Sequence, residues 1–336
     1  MSSKRDVSIQ LLRIVAMFMI VFDHLVYYFN FPYQRIILQI TNSGLFIFLF
    51  ISGYLFGQRK IDNWKEWFIK RIIRICIPVW IFVIIDLIIE QIIYHNFNIK
   101  YVFIYLLNIE GFIDGTQALN PLWFITLILI CYLTTPILQM AKEKISKSIL
   151  AIIAIIILVI QVLLAYVTNI GMVYGHKLSW CILALLVYCV GYYVGDSILK
   201  IKNVYFLIYT LLTVIVAFAT IYANKIWDGK VIYNDVIVWY GIIVVDIWIS
   251  IVAYKIGSLS WINNFSFIIN YLDKISFEFY LVHYLIILIV TGPLINIITV
   301  KGYMLLTIIL SIIAGTVLHY ICNPVTKVLK QKFVKE

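Results

Sequence analysis

The feature that most constrains this chain is a succession of apolar runs long enough to cross a membrane. A helix needs roughly 20 mostly apolar residues to span the hydrocarbon core of a bilayer. Of the 336 residues, 64% are hydrophobic and 12% are charged, which is more apolar surface than one water-soluble core can bury. The sequence therefore predicts an all-α polytopic membrane protein with about ten transmembrane helices. We expect them at 9–29, 37–57, 72–94, 121–140, 148–168, 178–196, 203–223, 236–256, 274–296 and 302–322.

The distribution of basic residues predicts how the chain is oriented. If the N-terminus is cytoplasmic, most of the 26 Lys and Arg fall in connections on the inner side, as cytoplasmic loops require. Both termini are then cytoplasmic and the protein lies in the cell membrane, in contact with lipid. The net charge of +10 is spread over short connections, so we expect no nucleic-acid partner. Without repeats or linkers, residues 1–336 form a single integral domain with its core at about 8–325; no oligomeric state is predicted.

Two connections between the predicted spans have a composition typical of membrane surfaces. The basic and aromatic segment 58–74, QRKIDNWKEWFIKRIIR, predicts a short helix lying at the lipid surface before the third span. The run YVFIYLL at 101–107 is too short to span and is expected at the interface. The five cysteines lie in or at the ends of apolar runs, which favours small buried residues; no metal site is predicted.

Ionisable residues inside the predicted spans are the first candidates for function. A charged side chain at a helix centre costs about 2.5 to 3.5 kcal/mol on the insertion scale, so such residues are rarely incidental. The candidates are Arg13, Asp23, His24, Asp86, Glu90, Asp246, Glu278 and His283.

Arg13 and His24 share one face of the first predicted helix. Eleven residues at 100° each amount to about three full turns, so the two side chains project the same way, about 16 Å apart along the axis. Taken alone, the pair also fits a snorkelling arginine and a hydrogen-bonded interfacial histidine. Asp23 points about 100° away from His24 and is a poor partner for it.

Arg71 and Arg74 project from one face at the inner start of the third span, because they are three residues apart. The planar guanidinium fork donates two hydrogen bonds at once, which suits phosphate. The alternative is ordinary anchoring by positive charge on the cytoplasmic side.

The remaining polar candidates have open roles. Asp86 and Glu90, one turn apart, either pair with Arg13, orient His24, or are satisfied by local hydroxyls and backbone. In the segment SFEFYLVHY, His283 has Ser276 and Tyr280 on its helical face, which fits a hydrogen-bonded core histidine as well as a catalytic one.

Several motifs, in this order along the chain, resemble acyltransferase family 3, the bacterial integral-membrane acyltransferases that modify cell-envelope glycans. The resemblance covers about residues 8 to 325 and is to the short, stand-alone members. The motifs are R-x10-H (Arg13, His24), LFISGYL (Ser52, Gly53), R-x-x-R (Arg71, Arg74), LWFITLILICYLTTP (Trp123, Phe124, Tyr132, Pro136) and SFEFYLVH (Ser276, Tyr280, His283).

The resemblance implies a membrane enzyme that moves an acyl group, usually acetyl, from cytoplasmic acyl-CoA to a hydroxyl of a cell-surface polysaccharide or its lipid-linked precursor. Modification of a capsule or exopolysaccharide is the expected context, and no metal cofactor is implied. In such proteins the histidine of R-x10-H, here His24, is regarded as catalytic, and we predict Arg13 of the same motif as a second catalytic residue. Arg71 and Arg74 would support the acyl donor, and Trp123, Ser276, Tyr280 and His283 belong to supporting motifs.

These residues support a hypothesis for the mechanism, in which transfer is either direct or by way of an acyl-enzyme. CoA phosphates would dock at Arg71 and Arg74, with Arg13 as a further candidate cation. His24 would act as general base on the acceptor hydroxyl, oriented by Asp86 or Glu90. The main alternative is a secondary transporter or exporter of an envelope glycan precursor, which also has many spans and a few buried charges.

Overall fold

All the regular structure in the described part of the chain is helical. The computed structural model describes residues 6–29, 34, 37, 44–95, 99–113, 119–142, 144–168, 177–226, 231–294 and 297–333. Within them the α-helices are α1 (Val7–Phe29), α2 (Gly44–Gly57), α3 (Trp64–Tyr94), α4 (Ile99–Leu106), α5 (Trp123–Lys142), α6 (Lys147–Thr168), α7 (Lys177–Leu199), α8 (Asn203–Ile226), α9 (Val231–Gly257), α10 (Ser266–Leu294) and α11 (Val300–Phe333). Short 3-10 turns at Asn120–Leu122 and Ser260–Phe265 precede α5 and α10.

Each predicted span overlaps one of these helices, and the polytopic all-α class is confirmed; residues 38–43 and 295–296 of two predicted spans lie outside the described residues. Among the described residues, seven helices are long and apolar enough to cross a membrane: α1, α3, α5, α7, α8, α9 and α11. The remaining spans match α2 and α6, whose apolar stretches are shorter, and α10, which carries Asp273, Lys274 and Glu278 in its first half. The count of ten spans and the cytoplasmic location of both termini stay predictions.

The chain forms two compact units. The first comprises Met1–Val26, Asn30–Lys60 and Ile130–Asn270, and the second comprises Tyr27–Phe29, Ile61–Leu129 and Tyr271–Glu336. Compact clusters of contacts do not define independently folding domains, so the single domain over residues 1–336 stays a prediction.

In the first unit, α2 and α7 pack backbone against backbone. A Cβ atom added at Gly53 would lie 2.1 Å from the carbonyl oxygen of Tyr188, and one at Gly191 would lie 2.1 Å from that of Phe50. Small residues let helices approach this closely. Close packing matters in a bilayer because the hydrophobic effect does not drive helices together in lipid. The glycine of the LFISGYL motif therefore has a packing role.

In the second unit, the long helix α3 packs along α11. Asn63 caps α3: its side-chain oxygen accepts a hydrogen bond of 3.1 Å from the backbone N–H of Glu66. The helix then runs unbroken for 31 residues and continues through Pro78.

The prediction of a separate surface helix within 58–74 is therefore wrong. Trp64 to Arg74 are the first turns of α3 itself. The cap at Asn63 starts the helix, and nothing between Trp64 and Arg74 stops it. Arg71 and Arg74 thus lie in the second and third turns of a membrane-length helix.

Candidate functional site

The R-x10-H residues lie on one uninterrupted helix of the first unit. Helix α1 is continuous from Val7 to Phe29, so Arg13 and His24 keep the common face predicted from their spacing, about 16 Å apart along the axis. Both side chains are half-buried. The fully buried residues Leu12, Ala16 and Met17 fix this helix against the rest of its unit. The arginine and the histidine are therefore held on the same face of one continuous helix.

Four cations form a surface in the second unit, hereafter the cationic surface: Lys70, Arg71 and Arg74 on α3 and Lys330 near the end of α11. Lys330 is close enough to Arg74, Arg71 and Lys70 to be acted on by the charge of all three. The sequence separation of more than 250 residues hides this proximity, so sequence reasoning missed Lys330.

Neighbouring side chains fix part of the cationic surface. The Arg71 guanidinium lies over the Trp67 ring, 5.9 Å from its centroid, and Lys70 forms an ion pair with Glu66 one turn earlier. Arg74 and Lys330 are exposed. Like charges gathered this closely repel one another, so the arrangement favours a polyanionic ligand.

Asp86, also on α3, is completely buried. No described residue provides a hydrogen-bond partner for either of its carboxyl oxygens. One of the roles predicted for Asp86 was a hydrogen bond with nearby hydroxyl or backbone groups. The described part of the chain shows no such bond. Glu90, one turn later, is half-buried and acts on Asp86 through its charge.

The SFEFYLVH motif ties α10 to the start of α5. The Tyr280 hydroxyl donates a hydrogen bond to the carbonyl of Pro121, and its ring meets Phe124 edge to face at 5.9 Å. His283 is fully buried, and its Nδ1 bonds to the carbonyl of Tyr280. The Tyr280 bond helps to hold α10 against the start of α5, and the supporting roles predicted for Tyr280 and His283 stay predictions.

Ser276 and Trp123 are the other two residues predicted to support the site. Ser276 lies on α10, and Trp123 lies at the start of α5. Ser276 donates a hydrogen bond of 2.9 Å to the carbonyl of Asp273, within α10. Trp123 opens α5 and is half-buried.

Two polar features of the second unit were not predicted from sequence: the hydrogen-bond partner of Glu278 and the burial of Glu110. Glu278 accepts a hydrogen bond of 3.1 Å from Nδ1 of His319 on α11. Glu110, in the turn after α4, is only 6% exposed. A single acid in the apolar run YVFIYLLNIEGF was the available signal for Glu110.

The described residues include no group of three His, Cys, Asp or Glu placed to hold a metal ion. The candidate residues themselves offer arginine and lysine as anion ligands, and histidine and carboxylates as acids and bases.

The comparisons with known proteins place these residues in a family. The family model described as an acyltransferase domain matches residues 6–321, which includes every predicted site residue and ends before Lys330. No curated protein and no solved structure gives a significant match. The match decides for an enzyme over the transporter alternative. The chain belongs to acyltransferase family 3 and is a membrane acyltransferase.

Proposed function

We propose that this acyltransferase takes an acyl group, usually acetyl, from cytoplasmic acyl-CoA and transfers it to a hydroxyl of a cell-surface polysaccharide or its lipid-linked precursor. The cationic surface is the observation that carries the proposal for the donor. CoA bears several phosphates, and four cations on two packed helices suit such a ligand. A cytoplasmic location of the termini would place this surface where acyl-CoA is found.

His24 is the proposed general base. Neutral imidazole accepts a proton near neutral pH, and proton removal makes the acceptor hydroxyl nucleophilic. The hydroxyl oxygen attacks the thioester carbonyl carbon while its proton passes to His24. The tetrahedral intermediate then collapses, the carbon–sulfur bond breaks, and CoA leaves as a thiol with the proton that His24 returns. Arg13 lies on the same face of α1 but about 16 Å from His24 along the axis, so we propose that its positive charge attracts the anionic donor and does not act on the reacting atoms.

The acceptor is proposed from the family alone, so the decisive experiment measures it. Envelope glycans from cells with and without the gene are compared for base-labile acyl esters, by mass spectrometry before and after mild alkali. The proposal expects esters that depend on the gene and return when the intact gene is restored. Identical ester content in the two strains would remove the glycan as acceptor.

The donor is tested separately. Full-length protein in lipid nanodiscs should bind CoA with an affinity that falls as salt rises, because charged contacts are screened. Binding independent of salt would argue against the cationic surface as the site of the phosphates.

A further inference from the structure

Glu110 is a buried acid whose polar atoms are not used within its unit. It lies in the turn that follows α4 and is 6% exposed. Apart from a weak interaction with its own backbone amide, neither carboxyl oxygen has a hydrogen-bond partner among the described residues. An unmade hydrogen bond at a buried polar group costs about 1 to 3 kcal/mol, so proteins rarely retain one without a use.

Asn108, two residues earlier, is a second incomplete group. Its amide nitrogen approaches the Cys76 sulfur at 3.8 Å and the Leu106 carbonyl at 3.4 Å, but its amide oxygen is buried and accepts no hydrogen bond from the described residues. Asn108 has a φ of 51°, a left-handed conformation that asparagine tolerates better than most residues. Three acceptor atoms therefore lie within one turn.

The turn itself is held firmly on both sides of Glu110. The Thr126 hydroxyl, on α5, donates a hydrogen bond of 2.7 Å to the Asn108 carbonyl and accepts one of 3.0 Å from the Gly111 N–H. Glu110 is bracketed by these two bonds. The backbone of Glu110 is thus held in place before any ligand arrives, which lowers the entropic cost of binding.

Glu110 also lies beside a motif of the family. Its charge acts on both Cys76 of α3 and Tyr280 of α10, so the carboxyl group is close to each. The Tyr280 hydroxyl donates to Pro121, which leaves the carboxyl group without that donor. The acceptor atoms therefore lie where α3, α5 and α10 of the second unit come together.

The ligand that suits this cluster is one rich in hydroxyl donors. Carboxyl and amide oxygens accept hydrogen bonds from hydroxyls, and sugars present several hydroxyls in a fixed arrangement. We propose that Glu110, with Asn108, binds hydroxyl groups of the glycan acceptor and positions it for acylation. The assignment rests on the proposed function, because it assumes a hydroxylated acceptor.

The test separates affinity for the acceptor from affinity for the donor. Full-length protein in nanodiscs is supplied with ¹⁴C-labelled acetyl-CoA and with unacylated glycan extracted from cells that lack the gene. Half-saturating amounts of each substrate are measured at a pH of about 9, where the Glu110 carboxyl group is ionised and both of its oxygens accept hydrogen bonds. The proteins compared are wild type, Glu110→Gln, Asn108→Gly and the control Asp62→Asn. Gln keeps the shape of the side chain but replaces one acceptor oxygen by a donor, Gly keeps the backbone conformation of residue 108, and Asp62 is an exposed acid.

We expect Glu110→Gln to raise the half-saturating amount of glycan at least tenfold and Asn108→Gly to raise it about threefold. The half-saturating amount of acetyl-CoA should stay at the wild-type value, and Asp62→Asn should match wild type throughout. Should Glu110→Gln fail to fold, Asn108→Gly alone decides by the same criterion.

Three outcomes overturn the assignment and leave the proposed function intact. Unchanged glycan dependence in the variants would mean that water alone satisfies Glu110. A change confined to acetyl-CoA would move Glu110 to the donor side, and loss of activity on adding a chelator would indicate a bound cation instead. If the wild-type protein labels no glycan, the proposed function itself fails and the assignment falls with it.

Discussion

Glu278 on α10 and His319 on α11 are hydrogen-bonded through Oε1 and Nδ1, 3.1 Å apart. Their side chains are only 9% and 13% exposed, so water does not replace the bond when it is broken. We expect Glu278→Ala and His319→Ala each to destabilise the protein by about 1 to 3 kcal/mol. The loss of stability in the double variant should be smaller than the sum of the two single losses, by about 0.5 to 3 kcal/mol. Thermal unfolding of the four proteins measures this coupling, with Glu278→Gln, which keeps an acceptor oxygen, as the control. Strictly additive losses would show that the pair does not interact.

His24→Ala should reduce transfer of the acyl group by roughly 10² to 10⁴-fold, the usual contribution of a general base. CoA binding should not change, because the base acts on the acceptor. The control is His95→Asn, at an exposed histidine that ends α3 with a φ of 51°, where asparagine is tolerated. Ester content of the glycan and protein abundance are measured together. Normal esterification by normally expressed His24→Ala protein would exclude His24 as the base.

Arg71→Ala and Lys330→Ala should each weaken CoA binding by roughly tenfold, since a charge-assisted hydrogen bond contributes about 1.5 to 3 kcal/mol. Both should also flatten the dependence of affinity on salt. Lys332→Ala is the matched control, because two residues turn the helix by about 200° and aim Lys332 away from Lys330. Calorimetric titration with CoA gives the affinities. Equal affinity in Lys330→Ala and Lys332→Ala would remove Lys330 from the donor site.

Gly53→Ala should destabilise the packing of α2 on α7. The added methyl group would lie 2.1 Å from the Tyr188 carbonyl oxygen, so the helices must separate. Overpacking of this kind costs about 1 to 3 kcal/mol and occasionally more. The control is Gly302→Ala near the start of α11, where the closest atom, Thr299 Oγ1, is 3.3 Å away. Melting temperatures in detergent compare the two, and a similar small effect at both positions would contradict the close packing.

Stability should depend on pH through Glu110. Burial raises the pKa of Glu110 from its ordinary 4.5 to about 8, and its own backbone amide offsets part of the rise. Between these values the folded protein retains a proton that the unfolded chain releases, so the free energy of unfolding falls as pH rises from about 4.5 to about 8. At about 1.4 kcal/mol for each pKa unit, the loss amounts to a few kcal/mol.

Glu110→Gln has no charge to bury and should show a flatter pH profile than the wild-type protein. Melting temperatures of the two proteins across this pH range make the comparison, with Asp62→Asn as a control that should follow wild type. Parallel profiles for wild type and Glu110→Gln would mean that residue 110 does not titrate with a raised pKa.

The elements that follow from local pattern could be predicted from sequence, whereas those that depend on distant contacts could not. Helix positions follow from the lengths of apolar runs, and the shared face of Arg13 and His24 follows from helical periodicity. Where α3 begins was missed because the basic composition of 58–74 suggested a surface helix, while the Asn63 cap and the tolerance of Pro78 decided otherwise. Lys330 and Glu110 owe their surroundings to helices far away in sequence, which periodicity does not reveal.

The glycine contact between α2 and α7 has a consequence for biosynthesis. The two helices meet through Gly53 and Gly191, so α2 enters the bilayer long before its partner has been made. At about 5 to 20 residues per second, synthesis of the intervening chain takes on the order of ten seconds. During that time the glycine face of α2 lacks the helix that covers it in the folded protein. An insertion factor that shields small-residue helix faces would therefore be expected to raise the yield of this protein more than that of one whose closely packed helices are adjacent in sequence.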